Sequence, residues 1–392
     1  MKNIEDQKNL LGKKVLLRLD LNVPLQDCII KDDTRINKIL PTLKFLIQKQ
    51  AKIIIISHVG RPKGKIVPAL SMKPICTNLS EKLNQKINLI TDDIRKIENK
   101  DLFKNIDGNI LVLENIRFYP EEENNDSNFS QHLASFADVY INDAFSCSHR
   151  AHASVTSITK FLPSYCGLQF NSEVTALKKV TSEIEKPITC IIGGSKISTK
   201  IGIIKNLIPK FDNIIIVGGM ANNILSYKDI KIGKSIHEEN CNEIVKNIFE
   251  TSKQYSCSII YPEDVITSKS LDGKPEPKKL NDISDDDMIL DIGEKTIKKI
   301  DNLINSSKTI LWNGPAGYFE NNDFATGSFQ IAKSIVKNHK SNSIYSVAGG
   351  GDTISVLNKI NAIEGFNFIS TAGGAFLEYL EGKEIPGISA LN

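Results

Sequence analysis

Arginine is scarce in this chain: of 49 basic residues only six are arginine, and all six lie within the first 150 positions, as Arg18, Arg35, Arg61, Arg95, Arg117 and Arg150. Lysine supplies nearly every other cation, so arginine stands where a planar fork that grips carboxylate or phosphate is required, or where a buried ion pair needs it. Other absences narrow the function. No apolar run reaches the roughly 18–20 residues of a membrane span, and the opening MKNIEDQKNLLGKK carries acids where a secretory leader would be apolar. The seven cysteines are scattered singly, without a C-x-x-C pair. That argues against a disulfide framework and for a reducing, cytoplasmic setting in which each thiol is a small packed hydrophobe. A net charge of +3 without a long basic run argues against a nucleic-acid binder. Both common nucleotide fingerprints are missing: no GxxxxGK[ST] occurs (Gly233-Lys234-Ser235 lacks the upstream glycine), and no GxGxxG follows a strand.

What is present is a chain of 392 residues, too long for one core and therefore expected to form two domains. Short runs rich in Ile and Val alternate with segments of helical period, the pattern of parallel sheets covered by helices. Strands are expected at 14–20, 52–58, 109–115 and 138–145, and then at 187–194, 213–219, 257–264, 309–315, 343–351 and 366–374. A helical stretch at 167–182 separates the two sets and reads as the linker. Ligands of open α/β sheets sit beyond the carboxyl ends of the strands. In the first half those ends carry Asp20, Asn22, His58, Arg61, Arg117, His149, Arg150 and His152; in the second half they carry glycines. One half is built for a compact anion held by side chains, the other for a nucleotide held by backbone N–H groups and helix N-termini.

Each signal has a plainer reading. Glycine after a strand is often turn chemistry alone, although five such sites at successive strand ends make coincidence a poor account. Arg95, in TDDIRKIE with no strand before it, reads as solvated decoration of a charged helical face. Arg18 shares Asp20's face by strand alternation and reads as its structural partner. His132, His237 and His339 sit in polar helical segments and read as surface residues, while His149 and His152 lack the cysteine or carboxylate partner of a metal site.

Taken in order, RLDLNVP (18–24), SHVGRP (57–62), ENIRF (114–118), NDAF…HRAHAS (142–154), GGSKISTK (193–200), VGGMAN (217–222), DIGEKT (291–296), WNGPAGYFE (312–320), GGGDT (349–353) and STAGGAFLE (370–378) resemble the motifs of the phosphoglycerate kinases, and IPGISAL (385–391) resembles their C-terminus. The resemblance implies two doubly wound, Rossmann-like parallel-sheet domains facing across a cleft. It divides the chain into an acid-substrate domain (1–166), an interdomain helix (167–182), a nucleotide domain (183–380) and a tail (381–392) returning to the first domain. It also implies a cytoplasmic, glycolytic monomer that works by hinge bending. By the family pattern the acid substrate, 3-phosphoglycerate or 1,3-bisphosphoglycerate, meets Asp20, Leu21, Asn22, Arg35, His58, Val59, Gly60, Arg61, Arg117 and Arg150. Leu21, Val59 and Gly60 serve through their backbone. ATP or ADP meets Gly194, Lys196, Lys200, Gly218, Gly219, Asn313, Pro315, Glu320, Gly350, Gly351, Asp352 and Thr353. Glu320 is expected on the ribose, Lys200 on phosphate, and Asp352 on Mg²⁺.

The implied nucleophile is a carboxylate, ionised at neutral pH, so catalysis rests on alignment and charge stabilisation rather than on a general base. Arg35 and Lys196 are the candidates for that work, with the Gly373-Gly374 turn and its helix assisting. Two departures stand out: Ala372 replaces the first of three usual glycines, and Ser146-Cys147-Ser148 replaces a more usual Gly-Thr-Ala beside Arg150. Cys147 there is a candidate reactive thiol, the plainer reading being an inert small residue. The rival classes are an NAD-dependent dehydrogenase, which the missing GxGxxG with its following acid opposes, and a non-catalytic nucleotide binder, which would have no need of Arg35 or Lys196.

Overall fold

The computed structural model describes residues 1–104, 106–341 and 344–392. The chain divides into two compact units, Met1–Val174 with Glu384–Asn392, and Thr175–Lys383.

The first unit is built on a six-stranded parallel sheet. Its strands are β1 (Lys14–Leu19), β2 (Lys52–Ile56), β3 (Asn88–Ile90), β4 (Ile110–Leu113), β5 (Val139–Asp143) and β6 (Ser164–Cys166). They lie side by side in the order β3-β4-β2-β1-β5-β6. Alternation sorts their side chains onto two faces. Leu17, Leu19, Ile53 and Ile55 pack with residues of helices α1 (Thr34–Gln48) and α2 (Lys73–Leu83). Leu16, Ile54, Ile56 and Leu111 pack with Phe129 and Leu133 of α3 (Ser127–Ala134). Burial on both faces explains why these strands read as unbroken apolar runs, and each fully buried Ile or Leu contributes roughly 1.5–3 kcal/mol. The two edge strands, β3 and β6, span three residues each, too short to register as apolar runs. β3 also places a strand that ends five residues ahead of Arg95, where none was expected.

The second unit carries a parallel sheet of β7 (Ile188–Ile192), β8 (Asn213–Ile216), β9 (Ser258–Ile260), β13 (Thr309–Asn313), β14 (Tyr345–Gly349) and β15 (Phe368–Ser370), in the order β9-β8-β7-β13-β14-β15. The remaining strands, β10 (Asp264–Ser268), β11 (Glu276–Lys279) and β12 (Met288–Ile292), form a separate antiparallel sheet in the order β11-β10-β12. The single strand expected at 257–264 is therefore two strands in two sheets. Pro262 lies between them and cannot donate to a ladder. The strand expected at 343–351 begins on Ser343, which lies outside the described residues.

Helix α4 (Leu168–Thr181) starts in the first unit and ends in the second. Its first turn is tied down by Asp143, whose Oδ1 accepts from Phe170 N at 2.8 Å, and by Thr42, whose Oγ1 accepts from Leu168 N at 3.1 Å. The C-terminal segment packs within the first unit. Gly387 N donates to Ser148 O at 2.8 Å, and a Cβ at Gly387 would come to 2.5 Å from that of Ser148.

Candidate active site

In the first unit the chain reverses its winding direction between β1 and β5, the position at which such sheets bind ligands. The loop after β1 is braced by side chains. Asp20 Oδ1 accepts from Arg35 Nη1 at 3.0 Å, and its Oδ2 accepts from Ser146 Oγ at 2.6 Å. Arg35 sits in the first turn of α1 and also donates to Asn22 O at 3.3 Å. Asn22 Oδ1 accepts from Gly60 N at 2.9 Å, and Gly60 O accepts from Arg117 Nη1 at 3.2 Å. Asn115 Nδ2 donates to Val59 O at 2.8 Å and to Leu70 O at 2.9 Å, and its Oδ1 accepts from Arg117 N at 3.1 Å. Leu21 N donates to Ser57 Oγ at 3.1 Å, and Leu21 O accepts from Val23 N at 2.9 Å. The backbone groups of Leu21 and Gly60 are thus engaged inside the protein. Asn22 Nδ2, by contrast, has no acceptor among the described residues.

Arg61 and Arg150 are exposed, and neither has a carboxylate within 4 Å among the described residues. Arg150 Nε donates to His149 Nε2 at 3.2 Å. Arg117 is buried, 3.7 Å from Glu123, and burial holds its pKa below the usual guanidinium value. Under this layer lies a wholly buried set: Arg18, Glu122, Ser154 and Tyr140. Arg18 donates to Ser154 Oγ, to Leu19 O and to Nδ1 of His58; no bond to Asp20 forms, so the expected pairing is replaced by these three. Glu122 accepts from Ser154 N at 2.9 Å and from Ser154 Oγ at 2.6 Å, and burial raises its pKa against the pull of Arg18. Burial, Arg117 and Arg18 push His152 down to about 3, and burial with Arg18 puts His58 well below the ordinary histidine value. Both rings are neutral at pH 7. Cys147 is buried, its thiol raised by that burial, so it is not the accessible thiolate a reactive cysteine needs. Arg95 is half exposed and paired with Asp93 at 2.8 Å and Glu121 at 3.4 Å.

In the second unit the winding reverses between β7 and β13. The turns after β7, β8 and β13 meet backbone to backbone. Gly193 N donates to Asn313 O at 2.8 Å, Gly218 N to Ala316 O at 3.0 Å, and Met220 N to Gly194 O at 2.8 Å. A Cβ on Gly314 would lie 2.3 Å from Gly193 O, and its φ of +101° is one that side chains rarely adopt. Trp312, fully buried, steadies the turn by donating Nε1 to Gly314 O at 2.8 Å. A cavity of about 490 Å³ opens here, lined by Gly194, Gly218, Gly219, Pro315, Glu320 and Asp352 among others. Beside it Lys200 Nζ donates to Asn313 Oδ1, Asn313 Nδ2 donates to Gly349 O at 2.6 Å, and Thr353 Oγ1 accepts from Gly314 N at 2.7 Å. Burial lowers the pKa of Lys200. Gly350 and Gly351 open helix α5 (Gly351–Lys359), and Gly373, with φ +54°, caps α6 (Gly374–Leu380). Ala372, next to that cap, is buried. Lys196 is exposed and does not line the cavity; its side chain has no hydrogen bond or ion pair among the described residues. Asp352 is exposed in the first turn of α5, one unpartnered carboxylate among the described residues. That donor suits Mg²⁺ held otherwise by phosphate and water.

A larger cavity of about 1120 Å³ lies in the first unit, against Ile29, Ile66, Pro74, Asn78, Arg95 and Tyr119. It holds none of the expected substrate residues. For an acid-phosphate ligand, charge is the criterion that matters, and volume is not.

Several residues that shape these sites were not singled out from the sequence. Ser57, Asn115, Ser154 and Asp291 all fall inside quoted motifs, where their polarity in apolar surroundings was the available signal. Asp291 lines the smaller cavity and accepts from Gly327 N at 2.7 Å and Ile292 N at 2.9 Å; burial pushes its pKa up to about 7. Glu122 gave no signal, because one acid in the run Glu121-Glu122-Glu123 looks like a solvated face.

Comparison with known proteins agrees with this geometry. The family profile described as phosphoglycerate kinase matches residues 4–383. A phosphoglycerate kinase of Wolbachia sp. subsp. Drosophila simulans (strain wRi) is 45% identical over 385 residues, 98% of this chain and 96% of that protein. The one from Methylorubrum extorquens (strain PA1) is 40% identical over 392 residues, 100% and 98% of the two chains. Among solved structures, phosphoglycerate kinase from Coxiella burnetii gives a TM-score of 0.91 at 36% identity, covering 98% of this chain and 97% of that one. The enzyme from Pyrococcus horikoshii OT3 gives 0.83 at 28% identity, covering 100% and 98%.

Proposed function

The chain belongs to the phosphoglycerate kinase family, an ATP-dependent phosphotransferase family, and from that premise we propose how its residues divide the reaction. The exchange is 1,3-bisphosphoglycerate with MgADP against 3-phosphoglycerate with MgATP, carried out by a cytoplasmic monomer in glycolysis. The observation that supports this reading is the separation of two chemistries. Arg35, His58, Arg61, Arg117 and Arg150, with Asp20 and Asn22, gather in one unit; the glycine turns around Gly194, Gly218 and Gly314 gather in the other.

The acid substrate binds the arginines and the free amide of Asn22. The nucleotide lies against the glycine turns, with Glu320 on its ribose and Lys200 on phosphate. Asp352 would hold a magnesium ion, which would supply neutralisation of phosphate charge. The attacking carboxylate needs no base, and neutral His58 and His152 are not asked to act as one. Arg35 and Lys196 stabilise charge on the transferring group, with the N–H groups of the Gly373-Gly374 turn assisting.

Direct transfer brings the reacting atoms within about 3–3.5 Å, so the two units close over their ligands by bending at the ends of α4. A coupled assay of ATP consumption should show turnover with 3-phosphoglycerate and none with glycerate lacking the phosphate; equal rates with both would refute the assignment. Small-angle scattering should show the radius of gyration falling only with both ligands present. The full change with either ligand alone would sink the closure.

A further inference from the structure

We propose that Arg18 is a positioning residue for the reaction: by donating to Nδ1 of His58 it fixes that ring as the Nε2–H tautomer, which presents an N–H donor to the acid substrate. The inference rests on the reading of His58 as a substrate contact.

The geometry leaves little choice of roles. Arg18 Nη2 lies 3.1 Å from His58 Nδ1. A guanidinium has only donors and keeps its proton, so Nδ1 must accept and the ring proton must reside on Nε2. Nε2 itself has no acceptor among the described residues and is not a sealed atom, although the ring as a whole is 4% exposed. The charge around the ring favours the same state. Arg18 from β1, Arg35 from α1, Arg117 from the turn after β4, and His152 all oppose a proton that would make His58 cationic.

Arg18 is in turn locked. Its Nε donates to Ser154 Oγ at 3.0 Å and its Nη1 to Leu19 O at 2.6 Å. Ser154 Oγ in turn donates a hydrogen bond to Glu122 Oε1 at 2.6 Å. Arg18 therefore donates both ways, through Ser154 to Glu122 in the buried interior and to His58 at the site, and the interior bonds hold the fork that faces the ring. A fully buried arginine without a direct carboxylate partner is an expensive way to fill a core. Its position is accounted for if the fork sets the direction of a functional ring, as partners of working histidines do elsewhere.

The test is long-range ¹H–¹⁵N NMR on the full chain labelled at histidine, with His58 assigned through His58→Gln. The expected result is a protonated Nε2 and bare Nδ1, unchanged from pH 5 to 8, with the Nε2 signal moving on addition of 3-phosphoglycerate. Arg18→Met should give mixed tautomers or a ring that titrates. It should also raise KM for 3-phosphoglycerate at least about fivefold, the size of one lost hydrogen bond, while KM for ATP stays within about twofold. If Arg18→Met does not fold, Arg18→Met/Glu122→Gln removes both buried charges together, and the wild-type spectrum still reports the tautomer. In the His58→Gln background, where the amide supplies an N–H without Arg18, the same Arg18 substitution should cost less than about twofold; purely structural roles would add.

A wild-type Nδ1–H tautomer would overturn the proposal, as would ordinary titration of His58 or a tautomer indifferent to Arg18. If 3-phosphoglycerate turns over yet leaves His58 unmoved, the positioning role fails while the kinase reading stands. If there is no turnover at all, it is the kinase reading that fails.

Discussion

The two candidate sites are made of different materials. In the first unit, side chains do the clamping: Arg35 and Ser146 on Asp20, Asn22 and Arg117 on the backbone of Gly60, Arg18 on His58. In the second, backbone meets backbone at Gly193, Gly218 and Gly314, with few side chains intervening. A site made of side chains degrades in steps, because each clamp contributes its own increment. A site made of close backbone contacts has no such redundancy, since a single Cβ displaces the whole turn.

Gly314→Ala is the most severe way to test that contrast. The new Cβ would stand 2.3 Å from Gly193 O, in a backbone conformation unfavourable to alanine. Strain and overpacking should together cost about 3 kcal/mol and weaken ADP binding at least about 100-fold, while 3-phosphoglycerate affinity in the other unit holds. Calorimetry with each ligand separately decides it: ADP affinity within threefold of wild type would break the distinction. Lys196→Ala comes next. Its side chain is exposed and unpaired among the described residues, so its removal should leave ADP affinity within about twofold. The same change should lower kcat at least about 100-fold, roughly 2.7 kcal/mol. If affinity falls in proportion to kcat, Lys196 is a ground-state contact.

The contrast was partly legible in the sequence. Arginine confined to one half and glycine at the strand ends of the other were visible because both residue types are chosen for local reasons, a fork and a missing Cβ. The long apolar strands were visible because burial on both faces leaves no polar interruption. What stayed hidden depended on distance in space. Arg18 two residues before Asp20 suggested a pair, but a buried guanidinium seeks the acceptors its three-dimensional surroundings supply, and these were Ser154 and His58. Ser146, noted only as a departure, turned out to brace Asp20. The antiparallel sheet of β10, β11 and β12 was missed because Glu276–Lys279 is a polar, largely exposed edge with no apolar alternation to betray it.

Acid distinguishes the buried networks by sign. His152 has a folded-state pKa of about 3 against an unfolded value near 6.5. Between those values the unfolded chain binds a proton that the folded one refuses, so stability is lost as pH falls through this window, by about 2 kcal/mol at pH 5. Asp291, raised to about 7 from an ordinary 3.8, does the opposite, and its contribution grows as pH falls from 7 towards 4. Hydrogen exchange in β1 and β13 from pH 7 to 5 should show His152→Gln flattening the loss in the first unit and Asp291→Asn removing a gain in the second. Slopes that match wild type would mean that neither group is perturbed as described.

The mildest substitution tests the side-chain site where a change of form leaves the charge intact. Arg35 holds Asp20 through Nη1 and reaches Asn22 O with the same nitrogen, while its side chain remains 30% exposed. In Arg35→Lys the cation survives and can still meet Asp20, so the fold and the field over the site should barely change. What lysine lacks is a plane. A guanidinium can keep one nitrogen on Asp20 and set the others at fixed angles towards a phosphoryl oxygen; an ammonium held by Asp20 has to turn to do either. If Arg35 stabilises the transferring group, kcat should fall at least about tenfold, roughly 1.4 kcal/mol. KM for 3-phosphoglycerate should change less than kcat, because the other arginines still bind the ground state. A Lys variant with unchanged kcat would make Arg35 a brace for Asp20 alone, and the first site would then act, like the second, through what holds the loop rather than through what touches the substrate.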